Sequence, residues 1–276
     1  MVGGKDSRHR CLSRYLPIMF SPVVSLRTTT IGIPPGKQIS FISDVHLGFG
    51  PRNEDVRRER KLLSLIDKIA DSTSHLVIVG DLFDYWFDYK TVIPKHHIRT
   101  IARLMELIDA GVHITYLIGN HDFGHWKYFH EELGIEVDTG DVDATIAGTR
   151  FYLSHGDGKA ANDKGYLVLR SVLRNRLAQW MYRKIHPNLG IRLASGTSHG
   201  SREYTGAKDF GTEDGLKHFA SQKIAEGYDI VVMGHRHRVA YEKMGSGLYV
   251  NLGDWLGEDP HYGRFTVENG MELVKL

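Results

Sequence analysis

Short apolar runs, each closed by a polar cluster, recur along this chain. Ile39–Ser43, Leu76–Val79, Ile114–Ile118 and Ile230–Met233 are rich in β-branched side chains and predict buried strands. Between them, Leu62, Leu63, Ile66 and Ile69 recur at helical spacing, as do Ile98, Ile101, Leu104, Met105 and Ile108. This alternation predicts an α/β layered fold. Later segments read as hairpins. Asp143–Ala147 and Arg150–Ser154 flank Gly148, and Arg264–Val267 and Glu272–Lys275 flank Asn269-Gly270, a pair that favours a two-residue type I′ turn. A second sheet of mixed or antiparallel strands is therefore expected. Residues 163–186 carry the longest helical pattern, with Tyr166, Leu169, Leu173, Leu177, Trp180 and Ile185 on one stripe, Asp163 placed to cap it and Pro187 to close it. This region reads as a helical insertion, residues 158–208, within a domain of residues 38–276.

Composition narrows the chemistry. A single cysteine, Cys11, excludes an internal disulfide framework and a cysteine-based metal site, so any metal must be held by His, Asp, Glu or Asn. The net charge is +2 but unevenly spread. Residues 158–208 carry ten Lys/Arg against Asp163 and Glu203, a local charge of +8. Residues 1–37 carry +5 and read as a poorly ordered basic leader, which leaves −11 for the rest. An acidic body suits cations, and a basic segment beside it suits an anionic substrate or surface. A nuclease would need a broad basic channel, so no nucleic-acid partner is expected. No apolar run reaches the roughly 18 residues of a membrane span.

The polar clusters carry the chemistry. Each predicted strand runs into one: Asp44-Val45-His46, Gly80-Asp81-Leu82-Phe83-Asp84, Gly119-Asn120-His121-Asp122, His155-Gly156-Asp157 and Gly234-His235-Arg236-His237. In open α/β sheets the carboxyl ends of parallel strands converge on one edge, where ligands bind. Each cluster alone reads as well as a solvated turn, whereas five in equivalent positions point to one site. Neutral imidazoles and carboxylates suit Mn²⁺, Fe²⁺, Co²⁺ or Zn²⁺ better than an all-oxygen Ca²⁺ or Mg²⁺ site. Seven such groups exceed the needs of one ion, and two ions about 3.5–4 Å apart sharing a carboxylate are expected.

The series DVH, GDLFD, GNHD, HGD and GHRH resembles the five-block signature of calcineurin-like metallophosphoesterases and spans residues 44–237. The resemblance implies an αββα sandwich of two mixed sheets. It implies one ion on Asp44, His46, Asp81 and His237 and a second on Asp81, Asn120, His155 and His235, with Asp81 bridging. The metal is expected to be Mn²⁺, with Fe²⁺, Co²⁺ or Zn²⁺ as alternatives. His121 would be the catalytic histidine and Asp122 would orient it. Within the superfamily, GDLFDYW, GNHDF, the basic insertion after HGD and NLGDW (Asn251–Trp255) are similar to the UDP-2,3-diacylglucosamine diphosphatases of lipid A synthesis. That likeness implies a UDP-linked acylated glucosamine as substrate, a lid that takes the acyl chains, and peripheral attachment to the anionic cytoplasmic face of a bacterial inner membrane. Arg170, Arg174 and Arg176 would meet phosphates or that surface. Asn120, Ser201, Arg202, Tyr204 and Lys208 are candidate substrate contacts. The best-known branch has Arg where this chain has His121, so another phosphodiesterase or phosphatase activity of the same superfamily stays open. Trp86, Phe87 and Tyr89 read equally as core or as pocket lining, while Trp180 and Met181 are expected inside the insertion's own core.

Overall fold

The computed structural model describes residues 26–159, 171–191 and 215–276. Two six-stranded sheets pack face to face. With β1 at Leu26–Ile31, β5 at Glu136–Asp138, β6 at Asp141–Ile146, β9 at Val239–Met244, β11 at His261–Thr266 and β12 at Gly270–Lys275, the first sheet has the order β12-β11-β2-β3-β4-β5 and the second β1-β6-β7-β8-β10-β9. The predicted apolar runs become β2 (Gln38–Ile42), β3 (Thr73–Val79), β4 (His113–Leu117) and β8 (Ile230–Met233). In the first sheet β2, β3 and β4 are parallel neighbours. In the second, β8 lies parallel between β7 (Thr149–Ser154) and β10 (Gly247–Leu252). Both sheets therefore deliver three parallel carboxyl ends to the same edge of the sandwich.

Strand alternation sorts side chains into two layers. Phe41, Val77, Val79 and Leu117 point into the space between the sheets and meet Phe151, Leu153, Val232 and Val250. Phe151 stacks on Phe41 with ring centroids 5.9 Å apart and meets Phe265 edge-on at 5.0 Å. Alternate residues of the first sheet, such as Ile42, Leu76, Ile78 and Tyr116, face the helices α1 (Arg52–Ile69), α2 (Ile98–Asp109) and α3 (Tyr128–Leu133). Across the second sheet, Tyr152, Val231 and Tyr249 are covered by Leu216, Ala220 and Ile224 of a later helix, Gly215–Ala225. The result is the expected αββα layering.

Several local expectations change. Residues 26–31, expected to belong to a poorly ordered basic leader of residues 1–37, form β1 (Leu26–Ile31), which pairs parallel with β6 (Asp141–Ile146). Threonines at 28–30 suit an edge strand, and the Arg27–Asp138 ion pair fixes its start. Residues 1–25 lie outside the described residues. The turn between β11 (His261–Thr266) and β12 (Gly270–Lys275) holds three residues, because Gly270 takes φ 71° and pairs with Thr266. The helical pattern over 163–186 breaks at Arg174-Asn175. Asn175 Oδ1 accepts the amides of Leu177 and Ala178 at 2.9 and 3.1 Å and starts a new helix, α4 (Arg176–Tyr182). Numbering in chain order, Gly215–Ala225 is α5.

Trp86, Phe87 and Tyr89 belong to the core reading. Trp86 is 1% exposed among Phe83, His125 and Phe129, and Phe87 and Tyr89 pack on Tyr182 of α4. Trp180 and Met181, expected inside the insertion, are instead more than half exposed. Because Phe151 of the second sheet packs on both Phe41 and Phe265 of the first, Phe151→Ala should cost about 3–5 kcal/mol of stability. Urea unfolding checks this, and a loss below about 1 kcal/mol would show that the inter-sheet layer is not the principal core.

Candidate active site

Six strands feed the site edge. β2 ends in Asp44 and His46, β3 in Asp81 and Asp84, and β4 in Asn120 and His121. β7 ends in His155, β8 in His235 and His237, and β10 in Asp254. The backbone turns sharply at each end. Six non-glycine residues among those described have positive φ, and five are Asp44, His46, Asp81, His235 and His237, at 50–69°. Left-handed backbone costs an L-residue on the order of 1 kcal/mol, and such outliers concentrate at functional sites.

Cross-loop hydrogen bonds hold these turns. Asp44 N donates to Gly80 O, His46 N to Asp81 O, Gly234 N to His155 O and Trp255 N to Asp44 O, all at 3.0–3.1 Å. The buried Arg58 guanidinium donates to His46 O at 2.7 Å. Glycines precede Asp81, Asn120 and His235 because the chains approach too closely for a side chain. A Cβ on Gly119 would lie 2.0 Å from Asp81 Oδ1, one on Gly234 2.0 Å from Ser43 Oγ, and one on Gly80 2.4 Å from His155 Nδ1.

The donors form two overlapping sets. In the first, His46 Nε2 and His237 Nε2 are 3.2 Å apart and lie 3.6 and 3.5 Å from Asp44 Oδ1. In the second, Asn120 Oδ1 lies 3.1 Å from His155 Nε2 and 2.8 Å from His235 Nδ1, and His155 Nε2 lies 3.2 Å from Asp81 Oδ2. Asp81 belongs to both. Its Oδ1 accepts the His121 amide at 2.8 Å, while its buried Oδ2 has no hydrogen-bond partner and lies 3.9 Å from His46 Nε2. Atoms roughly 2.1 Å from one cation sit about 3 Å from each other, so these spacings fit divalent ions. All seven predicted ligands are thus brought together.

Charge explains the protonation pattern. Burial disfavours the His46 imidazolium, but Asp44, Asp84 and Asp81 outweigh it and hold its pKa up at about 9. His155 is likewise buried, yet Asp81 lifts it to about 10. At His235 burial, with the neighbouring His155 charge, outweighs the pull of Asp157, Asp44 and Asp81 and lowers the pKa to about 4. Asp44 is pulled down to about 2 against its burial by His46 and its neighbours, and Asp81 is held well below the usual carboxylate range by His155 and His121. Without an ion, two histidines therefore carry the positive charge that the carboxylates require.

Four residues have roles that the strand-end reading missed. Asp122, expected to orient His121, accepts the Gly119 and Leu82 amides at 2.7 and 2.9 Å and the Tyr116 hydroxyl, so it braces the turn instead. The carboxylate facing His121 Nδ1, at 3.4 Å, is Asp84, which also lies 3.5 Å from His46 Nδ1. The NLGDW motif supplies the other two. Asn251 Nδ2 donates to Gly234 O at 2.7 Å, holding the turn that presents His235. Asp254 Oδ2 faces His237 Nδ1 at 3.1 Å, which leaves Nε2 to point at Asp44. The candidate substrate contacts Ser201, Arg202, Tyr204 and Lys208 lie outside the described residues.

The fold and this donor set are those of a calcineurin-like phosphoesterase: the family model of that description matches residues 37–239, and the chain belongs to the family. Members use divalent metals, and the Asp/His clusters here could hold them. The chain is similar to UDP-2,3-diacylglucosamine hydrolase of Porphyromonas gingivalis, 32% identical over 86% of this chain and 96% of the relative. Proteins of the same name from Pseudomonas fluorescens strain Pf0-1 (32% identical, covering 86% and 94%) and Edwardsiella ictaluri (27%, covering 86% and 91%) are also similar.

Two outcomes follow. Imidazole must be neutral to bind a metal, so adding Mn²⁺ to metal-free protein at pH 8 in weak buffer should release on the order of one to two protons per chain. Affinity should fall as pH falls below about 9, where His46 becomes protonated; metal uptake without proton release would contradict the charge assignment. Separately, Gly119→Ala should weaken metal binding at least tenfold while the fold persists, as read by calorimetry and circular dichroism. Unchanged affinity would mean that the Gly119–Asp81 approach does not shape the site.

Proposed function

We propose that this chain hydrolyses the pyrophosphate of a UDP-linked 2,3-diacylated glucosamine, giving UMP and 2,3-diacylglucosamine 1-phosphate in lipid A synthesis. The observation that carries the reading is the meeting of two complete donor sets at Asp81, in a chain whose relatives, matched over most of their length, are named for that hydrolysis. Asp44, His46, Asp81 and His237 would hold one divalent ion and Asp81, Asn120, His155 and His235 the other, with Mn²⁺ the preferred metal. Bound there, such ions would supply Lewis acidity to phosphoryl oxygens and would lower the pKa of water.

The chain's own groups complete the site. Asp84 Oδ1 lies 3.4 Å from His121 Nδ1 and would hold the proton there, which leaves Nε2 to serve charge developing on the phosphoryl group. The water oxygen enters the phosphate attached to uridine, and the P–O bond to the bridging oxygen breaks. That oxygen leaves with the lipid phosphate, whose low pKa makes it a good leaving group without full protonation. The insertion supports the lipid half of the substrate. Val172, Leu177, Trp180, Met181 and Leu189 are exposed there beside Arg183 and Lys184, a surface suited to acyl chains and an anionic membrane. No helix among the described residues is long and apolar enough to cross a membrane, so attachment to the cytoplasmic face of the inner membrane would be peripheral.

Hydrolysis in ¹⁸O-water should place the label in UMP, and His121→Ala should lower kcat on the order of 10²- to 10⁴-fold. Label in the lipid phosphate would refute the point of attack. Turnover of a plain aryl phosphodiester with none of the UDP-lipid would favour another activity of the same superfamily.

A further inference from the structure

Arg174 departs from the charge logic of the insertion. With Arg170 and Arg176 it was expected to meet phosphates or a membrane, yet its side chain is only 17% exposed and turns toward the sandwich edge. One nitrogen, Nη1, donates to Thr139 O at 3.3 Å. The other, Nη2, donates to Gly119 O at 3.1 Å and Asp157 Oδ2 at 3.2 Å. These acceptors lie in three separate segments: the turn between β5 (Glu136–Asp138) and β6, the turn after β4, and the turn after β7. Gly119 directly precedes Asn120, and Asp157 lies two residues beyond His155. Those two ligands face each other at 3.1 Å.

We infer that Arg174 is a positioning residue: it clamps the turns that present Asn120 and His155 and so ties the seating of the insertion to one half of the metal centre. A planar guanidinium holds two donor nitrogens apart in a fixed fork and reaches these acceptors from both, whereas Lys carries all its donors on one nitrogen at the end of a flexible stem. The break in the helical pattern is what makes the clamp possible. Asn175 starts α4 afresh, so Arg174 sits in the turn before the helix and can reach inward. The exposed apolar side chains of α4 begin three residues later in the chain, at Leu177. A shift of α4 on an acyl chain would therefore be transmitted to the Asn120 turn. The other half-site is braced differently, by Ser43 on Asp44, Arg58 on His46 O and Asp254 on His237.

This inference rests on the two-ion reading, and one experiment separates the two. Mn²⁺ is titrated into metal-free wild type, Arg174→Gln and Arg174→Lys by calorimetry. The melting temperature and turnover of an aryl phosphodiester, which carries no acyl chain, are measured alongside. The clamp predicts that Arg174→Gln weakens one of two equivalents at least tenfold, leaves the other as in wild type and lowers kcat on the small substrate, with Arg174→Lys intermediate. Wild-type affinity for both equivalents, with a change only in KM for the lipid substrate, would overturn it and make Arg174 a substrate contact. Equal weakening of both equivalents with a lower melting temperature would also overturn it, as a general structural effect. A wild type that binds one ion would instead defeat the two-ion reading.

Discussion

Asp81 sets the constraint that the rest of the site obeys. Its carboxylate is buried at the edge where the two sheets meet, one oxygen is tied to the His121 amide, and the other has no hydrogen-bond partner. A buried, unpaired carboxylate oxygen is costly, on the order of several kcal/mol, unless a cation compensates it. In the protein alone His155 and His46 take that role, held as imidazolium by the same carboxylates that surround them. Divalent ions meet the same need with more charge, so the site is a stable arrangement that is better balanced with metal than without.

Bringing ligands from both sheets to Asp81 requires unusual backbone. Five left-handed Asp and His residues, and glycines whose missing side chains admit the facing ligand, follow from one geometric demand: two sheets must present side chains to a volume a few ångströms across. The cross-loop hydrogen bonds and the buried Arg58 oppose that strain. The sandwich supplies the rigidity, since the strands that end in ligands are also those whose Phe41, Val77, Phe151 and Val232 fill the inter-sheet layer.

Much of this was readable from the chain. The strands were visible because buried parallel strands are continuous apolar runs, and the candidate ligands because they follow those runs directly. All seven predicted ligands converge. What could not be read depends on side-chain direction after a left-handed turn. GDLFD and GNHD each offer a second carboxylate, and only the folded turns decide that Asp84 faces His121 while Asp122 is spent on backbone amides. The break at Arg174-Asn175 was hidden because Leu173 and Leu177 keep helical spacing across it, although an Asn at that point is a preferred helix cap. β1 was missed because a short run of threonines carries little hydrophobic signal, its stability coming from pairing with β6.

The function links these layers. The sandwich fixes a charge-balanced centre for phosphoryl chemistry, NLGDW braces it from β10, and the insertion adds an exposed apolar and basic surface beside it. The central claim is that one carboxylate serves two ions. Anomalous diffraction from crystals loaded with Mn²⁺ tests it most directly. Two peaks should appear, one among Asp44, His46 and His237 and one among Asn120, His155 and His235, both in contact with Asp81. A single peak, or two peaks of which one does not touch Asp81, would contradict it.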